Sequence, residues 1–148
     1  MPTSTRPART KRQPRAKLTL DQALVALFIA AMDANGQVSR QELARAQHLI
    51  WSTRQFRRTS GERVGALIDR MRALVEGEDS AFVLRQAAAA IPRRLCAPSF
   101  AVVADLLLAD GTLDARETKF LYGLAADLGM DGQSARQILD VILLKNRL

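Results

Sequence analysis

The sequence predicts an all-α fold, a compact bundle of about seven helices that includes two pseudo-repeated helical hairpins. Three observations support this prediction. The chain is 48% hydrophobic but only 5% aromatic, a composition that favours helices packed through small and aliphatic side chains. Helix-capping motifs precede most of the apolar runs. A turn motif at residues 35–42 recurs at residues 110–117, each time after a run rich in Ala and Leu.

The first four helices are predicted from start and stop signals around apolar residues at helical spacing. Capping residues followed three positions later by Glu or Gln begin the first three. A glycine ends the third, and a proline breaks the fourth. In order, these helices run from Thr19 to about Asp33, from Ser39 to about Arg57, from Thr59 to Gly77, and from Asp79 or Ser80 to Pro92.

The last three helices are predicted in the same way. Pro98 and Ser99 are expected to precede the fifth helix, because a proline in a helix interior removes a backbone donor. Short connections within each hairpin make its two helices antiparallel neighbours. No credible strand is found. These helices run from Phe100 to Ala109, from Asp114 to Gly129, and from Asp131 almost to the end of the sequence.

Positive charge is concentrated at the N-terminus. The formal net charge is +7, and residues 1–17 contribute six basic residues and no acidic one. This segment holds three prolines and little apolar surface to bury, so we expect a disordered basic tail at residues 1–17 and a domain at residues 18–148. Such a tail suits an anionic membrane surface or nucleic acid, or it serves only to keep the protein in solution.

The composition indicates a soluble, cytoplasmic protein. The most apolar run, Ala23–Met32, has 10 residues, about half of the roughly 20 that a membrane-spanning helix needs. No apolar stretch with a cleavage site follows the basic tail, so no secretory signal is expected. The single cysteine, Cys96, cannot form an internal disulfide, which agrees with a reducing compartment.

The repeated turn has two interpretations. Ser39 with Glu42, and Asp114 with Glu117, fit capping boxes, in which the first side chain accepts a backbone N–H and the glutamate reaches back to the cap. Carboxylate oxygens on a tight turn are also what Ca²⁺ or Mg²⁺ requires. Neither copy fits an EF-hand, because its first loop position is apolar in both. Any metal site would therefore be shallow and would need carboxylates from elsewhere in the fold.

Three runs of sequence around these turns share a recognisable pattern: Leu106–Leu121, Leu124–Asp131 and, around the first turn, Ala30–Glu42. They resemble the TerB-like domains of the bacterial tellurite-resistance group, a module also found in membrane-associated J-domain co-chaperones. The resemblance covers about residues 18–148 and leaves the basic tail outside.

This resemblance implies an all-helical fold with two related halves and a role in tellurite resistance or general stress response. It also implies a divalent cation, Ca²⁺ or Mg²⁺, and the cytoplasmic face of the inner membrane, with no established catalysis. A protein partner is expected as a further or alternative ligand of the module. The acidic residues of the family correspond to Glu42, Asp110 and Glu117, with Asp114 at the cap. Asn35 replaces an acid in the first turn, so the second turn is the better candidate for a cation.

A second class of function stays open, an adaptor for nucleic acid or an anionic membrane that acts through the tail and an arginine cluster. Trp51 and Phe56 lie beside this cluster, and aromatic rings among basic residues suit bases or lipid headgroups. No recognition helix, zinc finger or RNA-binding signature is present, so a specific nucleic acid is not expected. Neither catalysis nor a small-molecule substrate is expected, because no acid–base pair is evident. The arginine cluster consists of Arg54, Arg57, Arg58 and Arg63.

Overall fold

A computed structural model of the chain describes residues 17–34 and 39–148. These residues form seven α-helices and one 3-10 turn, without a strand, so the all-α prediction is confirmed. The 3-10 turn, Leu108–Asp110, follows the fifth helix. The helices are α1 (Leu20–Ala34), α2 (Arg40–Ser52), α3 (Gly61–Gly77), α4 (Ser80–Ala90), α5 (Arg93–Leu107), α6 (Ala115–Asp127) and α7 (Gly132–Lys145).

Helix α1 is the centre of the bundle. Ala23 and every residue from Val25 to Met32 are buried, so the central part of α1 is enclosed on all sides, as expected for a helical segment that is apolar all round. It packs most extensively against α4 and α3 and also contacts α2, α5 and α6. Helix α7 packs on α5 and α6. The buried side chains form one continuous core.

Local capping signals set several helix starts as predicted. At α1 the Gln22 N–H donates to Thr19 Oγ1 at 3.2 Å, and the Thr19 N–H donates to Gln22 Oε1 at 3.0 Å. Asp79 caps α4 and Asp131 caps α7 through their side chains. Each of these bonds satisfies a backbone donor that the helix itself leaves without an acceptor.

The end of α2 differs from the prediction. The helix ends at Ser52 and not near Arg57. The Thr53 hydroxyl donates to the Ile50 carbonyl at 2.6 Å, a local bond that competes with the next helical turn. Residues 54–58 form turns instead. They carry Phe56 into the core, where it is 1% exposed.

The start of α3 is one residue later than predicted. Ser60, and not Thr59, is the N-cap, because its hydroxyl accepts the Arg63 N–H at 3.3 Å. The predicted box between Thr59 and Glu62 is therefore wrong. Thr and Ser are both common N-cap residues. The turns that bury Phe56 place Ser60, and not Thr59, at the N-cap position.

The start of α5 also differs from the prediction. The helix begins at Arg93, so Pro98 lies inside it and not ahead of it. The proline cannot donate a backbone hydrogen bond to the Arg94 carbonyl. The helix nevertheless continues, because its inward face buries Cys96, Phe100 and other apolar residues, and tertiary packing supplies most of the stability of a helix in a protein.

Two further predictions concern parts of the chain outside the described ranges. The basic tail, apart from Lys17, lies outside them, and so do residues 35–38 of the first turn. The two pseudo-repeated hairpins therefore stay a prediction.

Among the helices of residues 17–34 and 39–148, none combines the length and hydropathy that a membrane crossing requires.

Candidate functional site

Glu42 is held by the first turn of α2. Its backbone N–H donates to Ser39 Oγ at 3.1 Å, and its carboxylate accepts the Ser39 N–H at 2.9 Å. This reciprocal pair confirms the predicted capping box. Asn35 and Gly36 of the same turn motif lie outside the described residues. Glu42 is half-buried, so its carboxylate is within reach of solvent while the backbone holds it in place.

Glu117 occupies the matching position in α6. Its N–H donates to Asp114 Oδ1 at 2.8 Å, and its Oε1 accepts the Asp114 N–H at 3.3 Å, which confirms the second capping box. Gly111, with φ of +85°, connects the 3-10 turn to this cap, and a residue with a side chain would be strained there. Glu117 is only 6% exposed. The side chain of Asp110 lies outside the described part of the structure.

The two glutamates face one cavity of about 390 Å³, although they are 75 residues apart in the sequence. We call it the two-glutamate cavity. Its wall is formed by apolar residues at the end of α1 and around the end of α5, and its charged residues are Glu42, Glu117 and Arg45. The remaining lining residues are Met32, Ser39, Gln41, Leu106, Leu107 and Ala109.

The predicted metal residues are only partly brought together. Glu42 and Glu117 line the cavity, whereas Asp114 is exposed and does not line it. Across the described side chains, no group of three or more His, Cys, Asp or Glu residues could hold a metal ion. The predicted combination of Asp110, Asp114 and Glu117 therefore stays a prediction. The described carboxylates offer a pair of ligands on an apolar wall.

Arg45 was missed by the sequence analysis. It lies three residues after Glu42 on α2, and residues at this spacing are neighbours on a helix surface. This spacing could have predicted that Arg45 lies beside Glu42. The arginine brings positive charge to the same cavity. Arg45 is exposed, so solvent screens its effect on the two carboxylates.

A second group of charges lies near the C-terminal end of α1. Partial burial raises the pKa of Asp33, and the negative charge of Glu76 raises it further, while Arg72 acts in the opposite direction. These three residues line a small cavity of about 30 Å³, which is too small to hold more than about one water molecule. The three charges therefore influence one another at the end of α1, but the cavity that they line has no room for a hydrated ion.

The structure also tests two residues that could have carried chemistry. Cys96 is buried, with its sulfur 3.6 Å from the Pro92 carbonyl oxygen and 3.8 Å from that of Ile91, so it acts as a small core residue. His48 lies exposed on the surface of α2.

The family model described as tellurite resistance protein TerB matches residues 21–140. This chain belongs to the TerB family. The match spans α1 to α6 and most of α7, and so it includes both capping boxes and every residue of the two-glutamate cavity. No curated protein and no solved structure gives a significant match. The matched residues form the tellurite-resistance-like module of this TerB-family domain.

Proposed function

We propose that this TerB-family domain is a non-catalytic tellurite-resistance module that binds a hydrated divalent cation, Mg²⁺, between Glu42 and Glu117. One observation carries the proposal. Two glutamates from distant capping boxes line a single cavity, and one of them, Glu117, is only 6% exposed. Two carboxylates on one cavity attract a divalent cation, and carboxylate oxygens are the protein ligands that Mg²⁺ uses.

The ligand set favours Mg²⁺ over Ca²⁺. Calcium takes six to eight oxygen ligands, whereas magnesium usually keeps several waters and uses one or two carboxylates. Glu42 and Glu117 supply two carboxylates in the described part of the site. Six waters at about 30 Å³ each occupy roughly 180 Å³, so a hydrated ion fits a cavity of about 390 Å³.

Two features oppose a cation and limit the expected affinity. Arg45 lines the same cavity, and both glutamates lie at helix N-termini, where the helix dipole is positive. The apolar wall formed by Met32, Leu106 and Leu107 acts in the other direction, because charges interact more strongly where water is partly excluded. We expect a dissociation constant on the order of 0.1–1 mM.

Isothermal titration of Mg²⁺, Ca²⁺ and Mn²⁺ into the metal-free protein tests the proposal, with Glu42→Gln/Glu117→Gln as the variant. Glutamine also forms capping boxes, so the double variant removes charge while keeping both helix starts. Glu62→Gln is the matched control, because Glu62 is in the first turn of α3, is exposed and does not line the cavity.

Binding of Mg²⁺ that is lost in Glu42→Gln/Glu117→Gln and kept in Glu62→Gln would support the cation site. If the wild-type protein gives no heat and no shift in melting temperature with any of the three ions, the two glutamates act only as helix caps. Circular dichroism of each variant checks that the fold is retained.

The proposal includes the setting that the family resemblance implies, a stress-response role at the cytoplasmic membrane face, and it adds a protein partner there. A strain that carries Glu42→Gln/Glu117→Gln should lose tellurite resistance if the cation is required. Full resistance in that strain would show that tellurite resistance does not require cation binding at these two glutamates.

A second candidate is an adaptor for an anionic membrane surface. All four residues of the arginine cluster are exposed, and Trp51 beside them is 38% exposed. Phe56 cannot take part as the sequence suggested, because it is buried in the core. Each basic residue near such a membrane contributes about 1 kcal/mol. Co-sedimentation with phosphatidylserine vesicles should fall steeply as salt rises and be absent with phosphatidylcholine; equal binding to both would reject this candidate.

A further inference from the structure

A separate cavity lies between the middle of α1, the first two-thirds of α5 and the connection between α2 and α3. We call it the α1–α5 pocket; its volume is about 370 Å³. Its lining reaches the hydrophobic core, since four lining residues are 4% exposed or less. These four are Leu27, Phe28, Phe56 and Val103. No part of this lining belongs to the two-glutamate cavity.

The uncharged polar groups of the α1–α5 pocket are already bonded within the protein. The Thr53 and Ser99 hydroxyls each donate to a backbone carbonyl at 2.6 Å. The Gln55 amide donates to Asp21 Oδ1 at 2.8 Å. Because these donors are engaged, they provide little to recognise a polar ligand.

Two arginines are the charged residues of the pocket. Arg54 and Arg94 both line it and are exposed, and no acidic side chain lines it with them. Within residues 17–34 and 39–148, neither guanidinium forms an ion pair. The pocket therefore combines an apolar interior that extends into the core with two positive, planar donors at its solvent-exposed side.

We propose that the α1–α5 pocket binds a fatty acid, with the alkyl chain against the core residues and the carboxylate held by Arg54 and Arg94. A guanidinium can donate two parallel hydrogen bonds to a carboxylate. The volume is near the lower end for small-molecule pockets, so one alkyl chain is accommodated. This proposal does not depend on the cation site.

Calorimetric titration of the full chain with hexanoate, octanoate and decanoate, each below its micelle-forming concentration, tests the apolar part. Affinity should rise about two- to fourfold per added methylene group, because each one buries apolar surface. Decanol, which has no charge, should bind at least fivefold more weakly than decanoate. No decanoate binding, no dependence on chain length, or equal affinity for decanol and decanoate would each overturn the proposal.

Charge variants test the arginines. Arg54→Gln/Arg94→Gln should weaken decanoate binding about five- to tenfold and leave decanol unchanged, since it removes charge-assisted hydrogen bonds. Arg57→Gln/Arg93→Gln is the matched control: it removes two charges from the same two segments, and neither residue lines the pocket. An equal loss in both double variants would mean that net charge alone attracts the carboxylate, and the proposal would be wrong.

Discussion

Replacing Pro98 with alanine should stabilise the protein, because this proline lies in the interior of α5. It has no N–H for the Arg94 carbonyl, and proline costs about 3 kcal/mol relative to alanine within a helix. The substitution also frees the unfolded chain, which offsets about 0.4–1 kcal/mol of the gain. We expect the free energy of unfolding to rise by about 2 kcal/mol, and the melting temperature by about 4–8 °C at this chain length.

Pro92→Ala is the matched control, and its effect should have the opposite sign. Pro92 is the N-cap of α5, with φ of −58°, a value that proline adopts without strain. Alanine there only increases the freedom of the unfolded chain and should lower stability by about 0.4–1 kcal/mol. Urea unfolding followed by circular dichroism measures both variants. A Pro98→Ala protein that is no more stable than wild type would refute the reasoning.

Three further variants test the electrostatics and the core. Asp33→Asn should raise the melting temperature at pH 7, because burial and Glu76 raise the pKa of Asp33 and make its charged form unfavourable. The folded wild type binds this proton more tightly than the unfolded chain does, so its melting temperature should approach that of the variant as pH falls through the folded pKa towards 3.8. A difference in melting temperature that does not change with pH would contradict this. Arg45→Gln should tighten Mg²⁺ binding about two- to fivefold in calorimetry by removing a like charge from the cavity, and unchanged affinity would exclude that role. Phe56→Ala should cost about 3–5 kcal/mol, measured as a lower urea midpoint, and a loss below 1 kcal/mol would show that Phe56 is not an essential core residue.

The helix starts were predictable where a single local signal was available. The boxes at Thr19, Ser39 and Asp114 depend on residues three apart in the sequence, and all three form as predicted. The errors occur where tertiary packing chooses between local options. Burial of the inward face keeps α5 helical through Pro98, and burial of Phe56 ends α2 early. Both effects depend on distant partners that a local pattern does not contain.

The candidate site was predictable only in part, for the same reason. The sequence singled out Glu42 and Glu117 as members of a repeated motif, but only the packing of α2 and α6 around one cavity brings them together. The α1–α5 pocket has no motif at all. Its arginines, Arg54 and Arg94, are 40 residues apart and belong to different segments, so no pattern of spacing links them.

Both cavities are built along the same pair of helices. Met32 of α1 lines the two-glutamate cavity and Phe28 lines the α1–α5 pocket, and these residues are one helical turn, about 6 Å, apart along the axis. Because the run Val25–Met32 of α1 is buried and uncharged, it supplies walls but no charge to these two cavities. The charges come from helix starts and connections, which are the segments that most often carry function in proteins. Substitutions in α1 should therefore change stability first, whereas substitutions of Glu42, Glu117 or Arg54 should change binding while leaving the core intact.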